Sequence, residues 1–567
     1  MSSKQLMAVG GTAGVSLIAW RTMFPWIEYD LQTMKAGKKV AKRYNDDIIN
    51  KRTIIDNFEA TVKKIPKKTF VILDDRCFSY EYVNDQACRV ANIVIQWNLK
   101  KEDSVSIFVH NSIEYIWTFL GLQKLGVITT LLNINIRGDP LVNAIQVTDT
   151  KAIIVGQGDD LYNAINELRG KLDVPVYFMG NCAEDVQSWD MLMMKSSPAD
   201  ISPTIRSHIN IFTSCCYIFT SGTTGCTVVI RKKFSAHHFW EDCRKYKVTL
   251  VQYIGELLRY LIALPENPLD GNHNIKYFLG NGLRQDIWTP IQKRFKIPYI
   301  MEFFGASEGT ALMYNLCNKP GAVGRISPLM NRLDPAPKYL LKYDLTTATP
   351  LRNKSGRCIE VRIGEPGLLI CGIPPTCKLE NGLYKGNMEL TEKKIVRNVF
   401  NEGDAYFNFG DSLYLDKDYF AYFHDRVGDT FRWKGENVST TEVANIITVL
   451  SFIIDANVYG VKVPGHDGRA GMASLVLKGN EKLTSEKLKE IYHHCEQKLP
   501  KYARPIVLRH EKEMRTTGTF KQHKVTLMGE GFDPNVVSDP MFYLSTEAKT
   551  YVPLSQTSHL NFLQSKL

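Results

Sequence analysis

Residues 217–225 read Tyr-Ile-Phe-Thr-Ser-Gly-Thr-Thr-Gly, a short apolar run that opens into Thr220, Ser221, Gly222, Thr223, Thr224 and Gly225. Glycines allow tight turning and let backbone N–H groups face an anion, and hydroxyls add donors for phosphate oxygens. No Lys follows the last Gly, so the Walker-type spacing is absent. A hydroxyl-rich surface turn fits the same composition. A second candidate is Gly280-Asn281-Gly282-Leu283-Arg284, at the end of a β-rich run. Without a Cβ in the way, such a backbone can lie flat against a planar base, or it can simply close a strand. Asp411 follows Gly410 after another β-rich run, and a carboxylate there can accept from both hydroxyls of a ribose. Glu308, in Glu302-Phe303-Phe304-Gly305-Ala306-Ser307-Glu308-Gly309, offers a hard oxygen ligand or is a solvated loop carboxylate. Lys521 follows Thr517-Gly518-Thr519-Phe520, and by itself it reads as a surface lysine.

Groups so far apart in the chain need a scaffold that brings loops to one edge. Residues 70–73 read as a strand closed by an Asp74-Asp75 turn, 80–98 as a helix, 105–109 as a strand, and 112–125 as a helix ended by Gly126. Further strands are expected at 127–132, 151–155 and 176–178. The pattern resumes at 227–230, 237–246, 248–253, 255–263 and 275–279. This alternation implies an α/β fold with mostly parallel sheets, whose ligands gather where the strands end. From about residue 350 the texture becomes glycine-punctuated β, with runs at 360–363, 367–370 and 407–411. A compact last region is expected to hold a helix at 440–448, strands at 456–463 and 472–477, and a helix at 485–498, with a boundary near 424–430.

The chain has 567 residues, 44% of them hydrophobic, enough for several cores. Its net charge of +11 is spread out, with one cluster at Lys35, Lys38, Lys39, Lys42 and Arg43. No basic stripe with interleaved aromatics occurs, which argues against nucleic acid and leaves an anionic cofactor or membrane surface as partner. The twelve Cys form no CxxC pair, as expected of free thiols in a reducing compartment. Cys215 and Cys216, side by side in an apolar run, read as core. Residues 6–20 are apolar but shorter than the ~20 residues of a spanning helix. Together with the basic cluster they read as a membrane-associated segment, 1–45, lying on or dipping into a bilayer. The chain ends Ser565-Lys566-Leu567, the tripeptide read by a peroxisomal import receptor.

The run Thr220–Gly225 after an aromatic strand resembles the phosphate loop of adenylate-forming enzymes. Residues 228–236, Val-Val-Ile-Arg-Lys-Lys-Phe-Ser-Ala, and 251–257, Val-Gln-Tyr-Ile-Gly-Glu-Leu, are similar to the fatty acid transport protein and very long-chain acyl-CoA synthetase branch. The resemblance covers nearly the whole chain, with several motifs in the family's order. It implies an acyl-CoA synthetase-like fold with a large multi-sheet N-terminal domain (46–428), a small α+β C-terminal lid (429–545) and a tail (546–567). It further implies an ATP-dependent, two-step ligase that makes a long-chain acyl-CoA through an acyl-adenylate. ATP, Mg²⁺ and coenzyme A would be used, at a place on or in the membrane of the peroxisome or endoplasmic reticulum, and the reaction would be coupled to fatty acid uptake. Adenine would lie at Gly280, Asn281, Gly282 and Leu283, against Phe303, Phe304 and Gly305. Phosphates would lie at 220–225 and Ser307, and Mg²⁺ at Thr220 and Glu308. Asp411 and Arg426 would take the ribose, Asp429 would lie at the hinge, and Lys434 and Gly435 would enter for thioester formation. Lys521 would serve adenylation, and Lys524 is expected to stay exposed. Phe304 and Ser307 stand where the family carries Tyr and Thr.

One stretch departs from that pattern. After Gly225 the family continues with a Pro-Lys pair and a long segment bearing much of the acyl tunnel. Here Gly225-Cys226 runs almost directly into Thr227-Val228-Val229-Ile230, which the family places well downstream. A β-branched run therefore stands where a phosphate-capping helix should start. Strands left without their cover are expected to be exposed. The alternatives are an impaired splice form serving as a membrane uptake or scaffold protein, and a ligase for another carboxylic acid such as a bile acid.

Overall fold

The computed structural model describes residues 24–100, 102–168, 170–180, 186–210, 215–217, 226–305, 312–344, 348–373, 388–427, 430–434, 436–464, 468–514 and 524–558. They fall into two compact units. One is built on residues 36–235, the other on 236–377 and 389–567 with the chain before residue 36.

In the first unit, six parallel strands lie in the order Gln187–Ser188, Val176–Phe178, Thr150–Val155, Ser104–Phe108, Ile128–Leu131, Cys216–Tyr217. Every residue of Ser104–Phe108 is buried, as a central strand covered on both faces requires. Helices Tyr80–Val94 and Ile113–Leu125 begin at Ser79 and Ser112, whose hydroxyls accept from Tyr82 N and Tyr115 N, and Gly126 ends the second at φ 71°. Gly121 lets them touch, since a Cβ there would lie 2.5 Å from Val90 Cβ. Beneath them Arg206, 4% exposed, reaches Asp56 at 2.7 Å and Glu59 at 2.6 Å, and Lys124 reaches Glu59 at 2.8 Å.

Thr69–Leu73 forms the expected hairpin with Arg76–Ser79 through left-handed Asp74 and Asp75. Val228–Ile230, just after the abrupt join, pairs in parallel with Thr69–Leu73 and is an edge strand. The Thr227 hydroxyl donates to Thr69 O at 2.7 Å, and the Tyr80 hydroxyl to Cys226 O at 3.0 Å.

The second unit opens with a four-stranded sheet in the order Leu250–Ile254, Tyr277–Asn281, Tyr299–Gly305, Leu312–Asn315, the first three parallel and the last antiparallel. Side chains alternate across a sheet. Val251, Tyr253, Phe278, Ile300 and Met313 are buried on one face. Helices Ala236–Lys245, Gly255–Ala263 and Gln285–Phe295 bury Trp240, Leu258, Leu261, Trp288, Ile291 and Phe295. The opposite face leaves Leu250, Ile254, Tyr277, Tyr299, Leu312 and Tyr314 between 36% and 53% exposed. Parallel sheets are ordinarily covered on both faces, so this face lacks a layer, as the join implies.

An antiparallel sheet follows, Ala322–Arg325, Phe420–Arg426, Ala405–Leu415, Gly367–Gly372, Lys338–Leu341, with Ile395–Arg397 on Ala405–Leu415. Residues 360–363, expected as a strand, make only a bridge from Glu360 to Leu341, because Gly364 at φ 87° turns the chain away. The last region packs helices Thr440–Ile447 and Ser485–Lys498 on Ile453–Val461, Ala470–Leu477, Val507–His510, Met541–Ser545 and Thr550–Pro553. Thr550–Pro553 comes from the stretch assigned to the tail, and it pairs with Met541–Ser545.

Helix Ile27–Ile49 carries the basic cluster. No helix of the described residues is long and apolar enough to cross a membrane, and residues 6–20 lie outside those described. The first turn is held by charge. Asp30 is fully buried, takes Arg325 at 2.7 Å and accepts from the Ser327 hydroxyl at 2.6 Å. The Arg325 guanidinium lies over Phe420 and Tyr29, 4.5 and 5.3 Å from the ring centroids. Removing one partner of such a pair strands the other charge. Asp30→Ala should therefore destabilise this unit by about 3–5 kcal/mol, read as urea unfolding at lower denaturant than for the parent chain.

Candidate active site

The most fully described part of the site is the turn after strand Tyr277–Asn281. Gly280 packs on Tyr253, where a Cβ would lie 2.2 Å from Tyr253 O. Gly282 has φ 79°, a left-handed backbone that favours glycine. Gly255, which begins helix Gly255–Ala263, backs the turn, and a Cβ there would meet Gly282 O at 1.8 Å. Glu302, on the adjacent strand Tyr299–Gly305, accepts from Gly282 N at 3.0 Å, Leu283 N at 3.0 Å and the Tyr253 hydroxyl at 2.5 Å. Phe303 and Phe304 continue that strand. Phe304 lies 5.7 Å from Phe409, ring centroid to centroid, which brings the strand toward Ala405–Leu415.

Asp411 and Arg426 face each other in register across Ala405–Leu415 and Phe420–Arg426, with Arg426 Nε 3.4 Å from Asp411 Oδ1. Gly410, at φ 73°, bends the strand just before Asp411. Asp411 is nearly buried, whereas the Arg426 side chain is half-exposed. The pair thus presents one acceptor and one cation on neighbouring strands.

Beside it Asp425, 1% exposed, accepts from Thr440 N at 2.8 Å and from the hydroxyls of Thr430, Thr440 and Thr441 at 3.3 Å. It ties strand Phe420–Arg426 to the start of helix Thr440–Ile447. The sequence offered a signal in its carboxylate beside Arg426 and the hydroxyl run Ser439-Thr440-Thr441, but no partner assignment. Lys524, expected to be exposed, is only half-exposed and donates to the Thr440 hydroxyl at 2.6 Å, because helix Lys524–Glu530 packs beside strand Ile453–Val461. Lys434, at φ 51°, turns the hairpin Phe431–Trp433 to Glu436–Val438 over the buried Trp433 ring. Arg259 and Arg284 reach from the region before the lid to Asp455 and Thr448, and Arg259 Nη2 lies 2.6 Å from Asp455 Oδ2.

Thr220, Ser221, Gly222, Thr223, Thr224, Gly225, Ser307, Glu308, Asp429, Gly435 and Lys521 lie outside the described residues. Strand Cys216–Tyr217, which leads into the loop at 220, sits at the edge of the six-stranded sheet. Cys215 and Cys226 are exposed, so Cys215 is not the core residue the sequence implied. Among the described residues no group of three His, Cys, Asp or Glu could hold a metal ion.

Burial pushes the Glu302 carboxyl from an ordinary 4.5 up to about 8, with its three hydrogen bonds opposing the shift in part. The native chain thus keeps a proton that the unfolded chain releases between those values, and stability from this group falls as pH rises from 4.5 to about 8. Glu302→Gln should flatten that slope, as urea midpoints at pH 5, 6.5 and 8.5 would report.

The AMP-binding enzyme family matches residues 58–226, and the AMP-binding enzyme C-terminal domain matches 442–521. Long-chain fatty acid transport protein 2 of Rattus norvegicus is 39% identical over 565 residues, covering 89% of this chain and 90% of its own length. Long-chain fatty acid transport protein 6 of Homo sapiens is 36% identical, covering 89% of each. The rat alignment runs over 565 positions but takes up only 89% of the 567 residues here, so the relative carries residues inside that span which this chain lacks. The first family match stops at residue 226, beside the join. Among solved structures, the anthranilate CoA ligase AuaEII in complex with anthranoyl-AMP superposes with a TM-score of 0.68 at 17% identity, covering 83% of this chain and 95% of that one. A benzoate CoA ligase from Burkholderia xenovorans LB400 gives 0.68 at 15% identity, covering 84% and 99%, and these two likenesses establish the adenylate-forming fold. At the identity and span of its relatives, this chain belongs to the long-chain fatty acid transport protein family of AMP-binding enzymes.

Proposed function

We propose that this chain is built as an ATP-dependent ligase that joins a long-chain or very long-chain fatty acid to coenzyme A through an acyl-adenylate. The observation that carries the reading is the set of groups gathered at the strand ends of one unit. It consists of a glycine turn at Gly280–Leu283 beside Phe303, Phe304 and Gly305, together with the Asp411–Arg426 pair, in a member of this family. Adenine would lie on the turn, the ribose hydroxyls would donate to Asp411, and the phosphates would reach Thr220–Gly225 and Ser307.

The fatty carboxylate attacks the α-phosphorus, an O–P bond forms, and the bond to pyrophosphate breaks. The Lys521 ammonium would pair with the carboxylate and with the oxygen gaining charge. Thr220 and Glu308 supply hydroxyl and carboxylate oxygens, a donor set suited to Mg²⁺, which would offset phosphate charge when bound. The lid, 429–545, then turns about Asp429, taking Lys521 out and bringing Lys434 and Gly435 in. The coenzyme A thiolate attacks the acyl carbon, a C–S bond forms, and AMP leaves with the anhydride oxygen. The basic cluster on Ile27–Ile49 supports attachment to an anionic membrane of the peroxisome or endoplasmic reticulum, where the substrate is concentrated. Ser565-Lys566-Leu567 would serve peroxisomal import.

The uncovered face of the four-stranded sheet favours a second reading, a chain that binds nucleotide or lipid without turnover because the acyl tunnel lacks its wall. ATP–pyrophosphate exchange with a long-chain fatty acid separates the two. Exchange by this chain supports the ligase, and AMP binding without exchange supports the second reading. In an active form, Lys521→Ala should lower exchange about 100-fold while transfer from pre-made acyl-adenylate falls little. Inserting the relatives' extra segment after Gly225 should raise thioester formation, measured with labelled coenzyme A. No rise would mean that this segment is not what limits the chain.

A further inference from the structure

Glu302 is 1% exposed. A carboxyl taken that far out of water needs a structural reason, since its desolvation opposes folding. All three of its donors belong to one place. Two are the consecutive backbone N–H groups of Gly282 and Leu283, on opposite carboxyl oxygens, each at 3.0 Å. The third is the Tyr253 hydroxyl, which shares Oε1 with Leu283 N at 2.5 Å. The Tyr253 backbone in turn supports Gly280 from below, and Gly255 leaves no side chain between its helix and the Gly282 carbonyl. Without Glu302, the N–H of buried Leu283 and that of Gly282 would lose the acceptor that fixes them.

We infer that Glu302 is a positioning residue that acts through the Gly280–Arg284 turn, fixing the peptide planes on which the adenine of ATP rests, with Tyr253 holding the carboxyl in orientation. This rests on the nucleotide reading proposed above. It differs from a general stabilising role in its address. The carboxyl grips the base-binding turn through the N–H groups of Gly282 and Leu283, so its loss should weaken binding of the nucleoside end more than that of the pyrophosphate end. The geometry also says which replacement is informative. Gln fills the same volume but puts an NH₂ against a backbone N–H, whichever way the amide turns, and thus breaks at least one grip without opening a cavity.

The test is calorimetric titration of the full chain with AMP and, separately, with Mg²⁺-pyrophosphate, for the parent, Glu302→Gln and Tyr253→Phe. The parent should bind both. Glu302→Gln should weaken AMP about tenfold, corresponding to about 1.4 kcal/mol, and leave pyrophosphate within about twofold. Tyr253→Phe, a milder change that keeps both backbone bonds, should weaken AMP about threefold and serves if Glu302→Gln does not fold. In a form that turns over, the ATP KM should rise by the same factors with kcat little changed. Unchanged AMP affinity in both variants, or equal losses for AMP and pyrophosphate, overturns the inference. A parent chain that binds pyrophosphate but no AMP overturns the nucleotide reading itself, and the inference falls with it.

Discussion

A carboxyl that is 1% exposed holds two backbone amides at the end of a parallel strand. Gly282 and Leu283 lie past the last rung of their ladder, and the carboxyl of Glu302 on the next strand takes both. Much of the site follows from that. The grip sets the turn against the neighbouring strand, whose next residues are Phe303 and Phe304, and the glycines at 255, 280 and 282 are the positions where a side chain would collide or strain the backbone. Asp411 and Arg426 are brought to the same unit by a different sheet, through the approach of Phe304 to Phe409.

The sheet bearing this turn is covered on one face only. Six large apolar side chains remain in partial contact with water, and each forgoes part of the ~1.5–3 kcal/mol that full burial of such a group contributes. The first unit has a related feature at Val228–Ile230, an edge strand half-exposed at all three positions. Both are explained by the same fact of sequence: residues that the relatives carry inside the aligned span are absent here. The turn at Gly280–Arg284 keeps its grip on Glu302, which is buried on the covered face with Tyr253 and Phe278.

The region from Thr440 onward is tied to the strands and helices before it by polar contacts. Asp425 gathers Thr430, Thr440 and Thr441, Arg284 reaches Thr448, and Arg259 meets Asp455 as a buried ion pair. A rotation of the lid has to break the Arg259–Asp455 pair and rehydrate both charges. Such pairs are weak contributors when made and costly when half-broken, which suits a joint that must hold one geometry at a time.

Much of this was legible from residue order. Strand and helix positions follow local periodicity and capping: Ser79, Ser112 and Gly126 bound their helices, and Asp74-Asp75 makes its turn, because those preferences act within a few residues. The abrupt join at Gly225 was also readable, since a missing layer is a fact of the chain itself. Local pattern failed at residues 360–363, where β-rich composition had no neighbour to pair with along its length, and at Thr550–Pro553, whose place in a sheet depends on Met541–Ser545 having reached it first. The roles of Glu302, Tyr253, Asp425 and Lys524 were decided only by tertiary structure. Each is defined by a hydrogen-bond partner between 15 and 84 positions away, and a sequence states which groups can bond but not which of them the packing leaves together.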